Sequence, residues 1–332
     1  HPLKGIVPPL EFLPVIEENS LSVDVGEWVT RTALSQIKSL QEDGISVTIS
    51  VNIGARQLLE EGFVDYLEGV LSQYPMVKPG MLELEVLETS RLEDLKIAKD
   101  VMNACRDLGV TFALDDFGTG YSSLVYLKQL PIKQIKIDQG FVRDMLNDPN
   151  DLSILEGVIS LGEAFHRTVI AEGVETSQHA TILLGLGCEL GQGYAIARPM
   201  PADKFTIWLK EYKPNALWQN QDLFDANQRE LLFIKVQHRA WIENIKAILN
   251  NEEDKYVDGA SECTFGIWLK KSGREYLGSA YEAINLKHAQ IHVFAEELLK
   301  LRHNGHDALA LAGLVELYNL RDELLKLLNE LS

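Results

Sequence analysis

Asp115 and Asp116 stand side by side in Ala113–Tyr121, ALDDFGTGY. Paired carboxylates suit one task above others, which is to hold a hard divalent cation through oxygen. The pair follows the apolar residues Phe112, Ala113 and Leu114, so it sits at the end of a strand-like run. Successive side chains of a regular strand point to opposite faces. Both aspartates reach one site only if the strand is broken there. Gly118 and Gly120 follow at once and supply permissive backbone. Adjacent acids are common on solvated surfaces, but the apolar residues before this pair and Phe117 with two glycines after it argue against that reading.

Other polar residues share the placement. Glu85 and Glu88 lie in LELEVLETS, and Asn52 follows Ile49-Ser50-Val51. Lys136 and Asp138 lie in IKIDQGF, Glu172 in VIAEGVET and Gln192 in GQGYAIARPMP. Each alone is an ordinary polar residue or helix cap. Lys136 is the exception, because a lysine inside an apolar strand is costly unless paired. Together the residues suit two-metal hydrolysis. Two Mg²⁺ or Mn²⁺ ions roughly 3.5–4 Å apart would share Asp115 and activate water. Lys136 would position that water and neutralise developing charge.

The elements that must position these groups alternate along the chain. Apolar spacing predicts helices over 24–42, 55–73, 92–107, 152–165, 178–185 and 202–211, and strands over 46–51, 82–86, 110–114, 134–137 and 168–171. Such alternation predicts parallel strands with crossover helices. Functional groups at many successive strand ends fit the catalytic face of an α/β (β/α)₈ TIM-like barrel, whereas an open sheet gathers its site at one switch point. A barrel needs ~250 residues, and the alternation stops near 212. The first residue is His1 rather than Met, so the barrel's first strands are expected upstream of it.

Residues 213–222, KPNALWQNQD, read as a linker or hinge. The pattern from 223 to 332 is helical throughout. Leu317, Leu320, Leu324, Leu327, Leu328 and Leu331 form an apolar stripe on the last helix, either bundle core or a dimer seam.

The 332 residues carry a net charge of −18 and are 46% hydrophobic, enough for about two domains. That charge repels nucleic acid unless a bound cation inverts the field locally, so neither DNA nor RNA is an expected partner. No run reaches the ~20 apolar residues of a membrane span. Three scattered cysteines do not form a disulfide framework, which fits a cytoplasmic setting.

The motifs ALDDFGTGYSSL, IKIDQGFV, VIAEGVET and GQGYAIARPMP resemble the EAL family of cyclic di-GMP phosphodiesterases, over residues 1 to about 212. The resemblance implies hydrolysis of cyclic di-GMP to linear pGpG with Mg²⁺ or Mn²⁺. Carried over by motif, Asn52, Glu85, Asp115, Asp116 and Glu172 would bind metal. Lys136, Glu172, Asp116 and Glu88 would serve catalysis, with Glu88 anchoring the loop 117–123 that couples dimerisation to binding. Asp115, Gln192 and Asp138 would contact substrate or cofactor. His1-Pro2 matches the end of the family's first motif block. The Glu-Ala-Leu segment, with its ligand glutamate and substrate-binding arginine, would lie upstream, and a chain without it would be inactive or poorly folded. Leu87 stands where many relatives have threonine.

In the helical part, His288 and His292 are spaced i,i+4 and share a helix face. With His238 and Cys263 they make a Cys-His₃ set suited to tetrahedral Zn²⁺. CTFGIWL and HRAW, with these four residues, resemble the chemoreceptor zinc-binding domain over about 223–332. A closed set of four leaves no position for water, so it is structural or sensory rather than hydrolytic. A thiolate ligand also makes it sensitive to oxidation. Cys105 and Cys188 read as barrel core, and His303 and His306 as exposed. The expected protein is thus a zinc- or redox-regulated phosphodiesterase, and a homodimer. The alternatives are a non-catalytic cyclic di-GMP receptor, or a metal-sensing dimerisation module with a crippled barrel.

Overall fold

The computed structural model describes residues 2–5, 7–16, 19–89, 94–120, 123–219, 221–252 and 259–330. Leu331, the end of the leucine stripe, and residues 121 and 122 of the 117–123 loop lie outside these, as does His1. The chain divides into two compact units, His1–Arg143 with Ile154–Gln221, and Asp144–Ser153 with Asp222–Ser332.

The first unit is built on six parallel strands in sequential order: β1 (Ile49–Asn52), β2 (Leu82–Leu87), β3 (Thr111–Phe117), β4 (Gln134–Ile137), β5 (Thr168–Glu172) and β6 (Leu190–Gln192). Helices α1 (Pro9–Ile16) and α2 (Leu21–Glu42) precede β1. The crossovers carry α3 (Ala55–Leu58) and α4 (Phe63–Leu71), α5 (Leu95–Asp107), α6 (Ser123–Gln129), α7 (Gln139–Asp144) with α8 (Pro149–Ala164), and α9 (Ser177–Leu186). Helices α10 (Ala202–Glu211) and α11 (Ala216–Gln219) follow. All strand neighbours are parallel, as crossover helices require.

Alternation along each strand separates two environments. Leu84 and Val86 of β2 are buried in the apolar layer that also holds Leu34 and Ile37 of α2 and Met102 and Cys105 of α5. Glu83 and Glu85 take the opposite, inner face, yet both are also buried. The helix expected over 55–73 is two helices, because Gly62 adopts φ 87° and breaks it. Caps fix the others. Asp94 accepts from the amides of Lys96 and Ile97 ahead of α5, and Thr176 from that of His179 ahead of α9, which Gly187 ends at φ 99°.

The segment expected as a linker is partly ordered on this unit. Trp218 Nε1 and Asn215 Nδ2 both donate to Ser177 Oγ, each at 3.1 Å, so α11 is pinned to the start of α9.

The second unit is helical. Its long members are α12 (Ala226–Leu249), α15 (Tyr281–His303) and α17 (Leu314–Asn329). Between them lie α13 (Thr264–Trp268), a π-turn over Leu269–Gly273, α14 (Arg274–Leu277), a 3₁₀ turn and α16 (Asp307–Ala312). An Asp225–Gln228 capping box starts α12. Leu317, Leu324 and Leu328 are buried in the bundle core with Ile242, Ile245, Ile284 and Ile291, and Leu320 and Leu327 pack against it. The described part of the stripe is therefore bundle core. Cys105 and Cys188 are buried, and His303 and His306 are exposed.

Candidate active site and candidate metal centre

The strand break required by the aspartate pair is present. The β3–β4 register shifts between Leu114 and Phe117, and Asp116 has φ 54°. A left-handed non-glycine residue costs roughly 1–2 kcal/mol, and aspartate tolerates it better than most. The gain is geometric. Oxygens of Asp115, Asp116 and Glu172 all lie within 4.8 Å of one another. Gly118 continues the turn at φ 105°, where a Cβ would meet the Phe141 ring at 2.8 Å.

Glu88 holds the loop that follows. Its Oε2 accepts from the amides of Gly118 at 2.8 Å and Gly120 at 3.2 Å, and its own amide donates to Asp115 O. Glu88 thus ties the end of β2 to the turn after the aspartates.

Lys136 stands at the centre of the inner face. Its Nζ is 2.6 Å from Glu172, 2.9 Å from Glu85 and 3.2 Å from Asp115. Burial pulls the ammonium towards neutrality, but hydrogen bonds to Glu172 and Glu85 and the charges of Glu85 and Asp115 outweigh it, so its pKa is raised. Burial raises Glu85 and Glu172, outweighing the hydrogen bonds and the charge of Lys136, and the charge of Asp115 adds to the rise. Burial, then the charges of Asp115 and Asp138, raise Asp116.

The donor set fits a divalent cation. Asp115 Oδ1 is buried and accepts no well-angled hydrogen bond, although Lys136 Nζ lies 3.2 Å away. An oxygen left short of partners among like charges is what a hard ion satisfies.

The remaining candidates lie around this centre. Asn52 ends β1 opposite Glu85 and is exposed. Gln192 ends β6 opposite Glu172. Asp138 caps α7 through the Gly140 amide at 2.8 Å and hydrogen-bonds Asp116. A cleft of about 540 Å³ runs from Glu172 and Gln192 past Tyr194 and Arg198 to Trp208, with the Arg198 guanidinium 4.3 Å above the Tyr194 ring. A second, of about 510 Å³, reaches Glu85 and Lys136 between the edge strands β1 and β6.

Strand-end reasoning missed Glu83, which lies one layer below Glu85 and is 3% exposed. Period-two alternation in LELEVLE would have placed it on the same face.

In the helical unit, His238, His288 and His292 are all buried and bring ring nitrogens within 4.8 Å of one another. His238 is on α12, and the other two are one turn apart on α15. Cys263 Sγ is 3.2 Å from His288 Nε2 and accepts from the Gly266 amide at 3.2 Å. Trp241 lies against His292, ring centroids 4.1 Å apart. Burial and then its histidine neighbours hold His238 well below the ordinary value. Burial and His292 push His288 down to about 3. Neutral imidazoles are the form a metal binds. His238 Nε2 is buried with no hydrogen-bond partner, so the three histidines fit a metal ion, with Cys263 beside them at His288.

The chain's resemblances agree with this division. Residues 1–199 match the family model of the EAL domain, and 238–299 that of the chemoreceptor zinc-binding domain. The Pseudomonas aeruginosa bifunctional diguanylate cyclase/cyclic di-GMP phosphodiesterase MucR is 38% identical over 205 residues, 61% of this chain and 30% of its own length. The Escherichia coli cyclic di-GMP phosphodiesterase PdeR is 37% identical over 215 residues, 65% of this chain and 32% of its own. The chain thus spans about a third of these relatives. The EAL domain of Mycobacterium smegmatis DcpA superposes with TM-score 0.55 at 34% identity, over 58% of this chain and 87% of that one. The PaMucR phosphodiesterase in its c-di-GMP complex gives 0.59 at 37%, over 62% and 83%. The fold is that of the TIM-like EAL barrel, followed by a helical unit. The chain belongs to the EAL-domain family and carries a chemoreceptor zinc-binding domain after its EAL domain.

Proposed function

We propose that the EAL domain to which these residues belong hydrolyses cyclic di-GMP to linear pGpG in the full-length protein and that the helical domain regulates the reaction through zinc or oxidation. The observation that carries the catalytic reading is the β3 break that gathers Asp115 and Asp116 with Glu172 beside Lys136. Asn52, Glu85, Asp115, Asp116 and Glu172 would hold Mg²⁺ or Mn²⁺. Such ions supply Lewis acidity and lower the pKa of water.

This chain's own groups do the rest. Lys136 keeps its proton and donates hydrogen bonds, so it orients water and offsets charge building on phosphate oxygens. Glu172, raised by burial, is suited to take the proton of the attacking water. One phosphodiester P–O bond breaks as water adds, and the released sugar oxygen takes a proton. Glu88 holds the loop that fixes Asp115 and Asp116. Gln192 lines the cleft that would take the dinucleotide, and Asp138 and Asp115 would contact substrate or cofactor beside it.

Cys263, His238, His288 and His292 would close a tetrahedral zinc shell that has no open position, which favours sensing over hydrolysis. Oxidation of the Cys263 thiolate would release the metal. A cytoplasmic homodimer is the assembly we infer, on the resemblance to the EAL family alone.

Chromatography of cyclic di-GMP incubated with the full-length protein and Mg²⁺ or Mn²⁺ tests the catalytic reading. Linear pGpG is the expected product. Binding without turnover would instead make the chain a receptor. Zinc chelation and peroxide treatment should change the rate, and no change in either would remove the regulatory part.

A further inference from the structure

Below the carboxylates the barrel interior stays polar. Aliphatic side chains usually fill this layer of such a barrel, yet here Glu83 occupies it at 3% exposure. Three neighbours satisfy it. Ser50 Oγ of β1 donates to Glu83 Oε1 at 3.0 Å, and Gln134 Nε2 of β4 to the same oxygen at 3.1 Å. Thr111 Oγ1 of β3 donates to Oε2 at 3.3 Å. Ser50 and Thr111 are Glu83's register partners in the adjacent strands.

This layer touches the one above at two points. Ser50 also stands within reach of Glu85, so its single hydroxyl proton can serve either carboxylate. Gln134 lies two residues before Lys136 on β4, so both side chains share the inner face, and both line the same cleft as Ser50 and Glu85. Among the described residues, hydrogen bonds to Glu83 come from hydroxyl and amide groups, with no cation paired to it. Burying a carboxylate with only neutral donors is costly, and the cost falls when positive charge sits nearby.

We propose that Glu83 is a positioning residue for the barrel's cation site: through Ser50 and Gln134 it fixes Glu85 and Lys136 from below. This rests on the metal reading of the site above. Glu83 touches neither substrate nor ion and acts through its neighbours. Outer-layer partners of metal ligands typically change affinity 10–100-fold when removed.

Calorimetric titration of the metal-free chain with Mn²⁺ alone tests the assignment. Glu83→Gln keeps the volume and the acceptor oxygen while removing the charge. It is expected to weaken Mn²⁺ binding on the order of 10-fold while the metal-free melting temperature stays level or rises. Ser50→Ala is expected to weaken binding by less, and the double variant to be no worse than Glu83→Gln alone, because the two act through one connection. Wild-type affinity in a folded Glu83→Gln chain overturns the assignment. If Glu83→Gln does not fold, wild-type affinity in Ser50→Ala overturns it equally. Absence of Mn²⁺ binding by the wild type is a distinct result, because it removes the metal reading itself and this assignment with it.

Discussion

Lys136 Nζ lies 2.6 Å from Glu172 Oε1, a buried contact between the lysine of β4 and the carboxylate that ends β5. The same ammonium reaches Glu85 and Asp115, so one cation links carboxylates from two further strands as well. Removing it leaves buried like charges facing one another. Lys136→Met is expected to destabilise the metal-free barrel by roughly 3–5 kcal/mol, the usual cost of breaking a buried pair from one side. Added Mn²⁺ should restore part of that stability while turnover stays lost. Thermal melts with and without Mn²⁺, beside a turnover assay, measure both.

Asp116 separates charge from shape. Its φ of 54° is one asparagine adopts readily. Asp116→Asn is therefore expected to fold within about 1 kcal/mol of wild type and to lose turnover by on the order of 100-fold. Asp116→Val should lose stability as well, because a β-branched residue does not tolerate that conformation. Equal stability in the two variants would show that the bend does not need its αL residue.

The acid dependence has a definite sign. Burial raises Glu85, Glu172 and Asp116 above their ordinary values of 4.5, 4.5 and 3.8. A carboxyl raised on folding adds stability below its unfolded pKa, and that stability is lost as pH rises through the folded value. Metal-free stability should thus fall as pH climbs from the ordinary carboxylate range through the raised one. Divalent cations compete with those protons, so Mn²⁺ affinity should rise over the same interval. Titrations at stepped pH check this, and proton release on binding should be largest inside the window.

In the helical unit Gly266 leaves no room for a side chain. A Cβ there would lie 1.8 Å from Ala260 O and 3.4 Å from the His288 ring. Gly266→Ala should displace the turn that holds Cys263 Sγ, at a cost of about 1–3 kcal/mol, and lower zinc content well below one ion per chain. Elemental analysis beside Cys263→Ala gives the comparison. Full zinc loading in Gly266→Ala would mean the turn has slack that the close contacts do not suggest.

How much was legible follows from where each residue sits. Strand β4 falls at Gln134–Ile137 and α10 at Ala202–Glu211, as the spacing predicts, since each is one unbroken apolar period between clear breakers. The aspartates, Lys136 and Glu172 were readable because a polar residue at the end of an apolar run has few structural reasons to be there. The break at Gly62 was not, because a single glycine inside a helical pattern is tolerated as often as it terminates. Strand β6 has three residues, too few to show a period. The docking of Trp218 on Ser177 joins residues 41 apart, which no local pattern records. The candidate zinc residues were all named from the sequence, but only two of them by a local pattern. The i,i+4 pair of α15 is local, whereas His238 and Cys263 reach it through the packing of α12 and α13.

The most direct measurement is turnover of cyclic di-GMP by the full-length wild-type protein with Mg²⁺ or Mn²⁺, followed by ³¹P NMR beside Lys136→Met and Asp116→Asn. A cyclic diester signal giving way to a linear product with one terminal phosphate is expected for the wild type, about 100-fold more slowly for Asp116→Asn and not at all for Lys136→Met. Bound cyclic di-GMP that persists unchanged in the presence of metal would contradict the account.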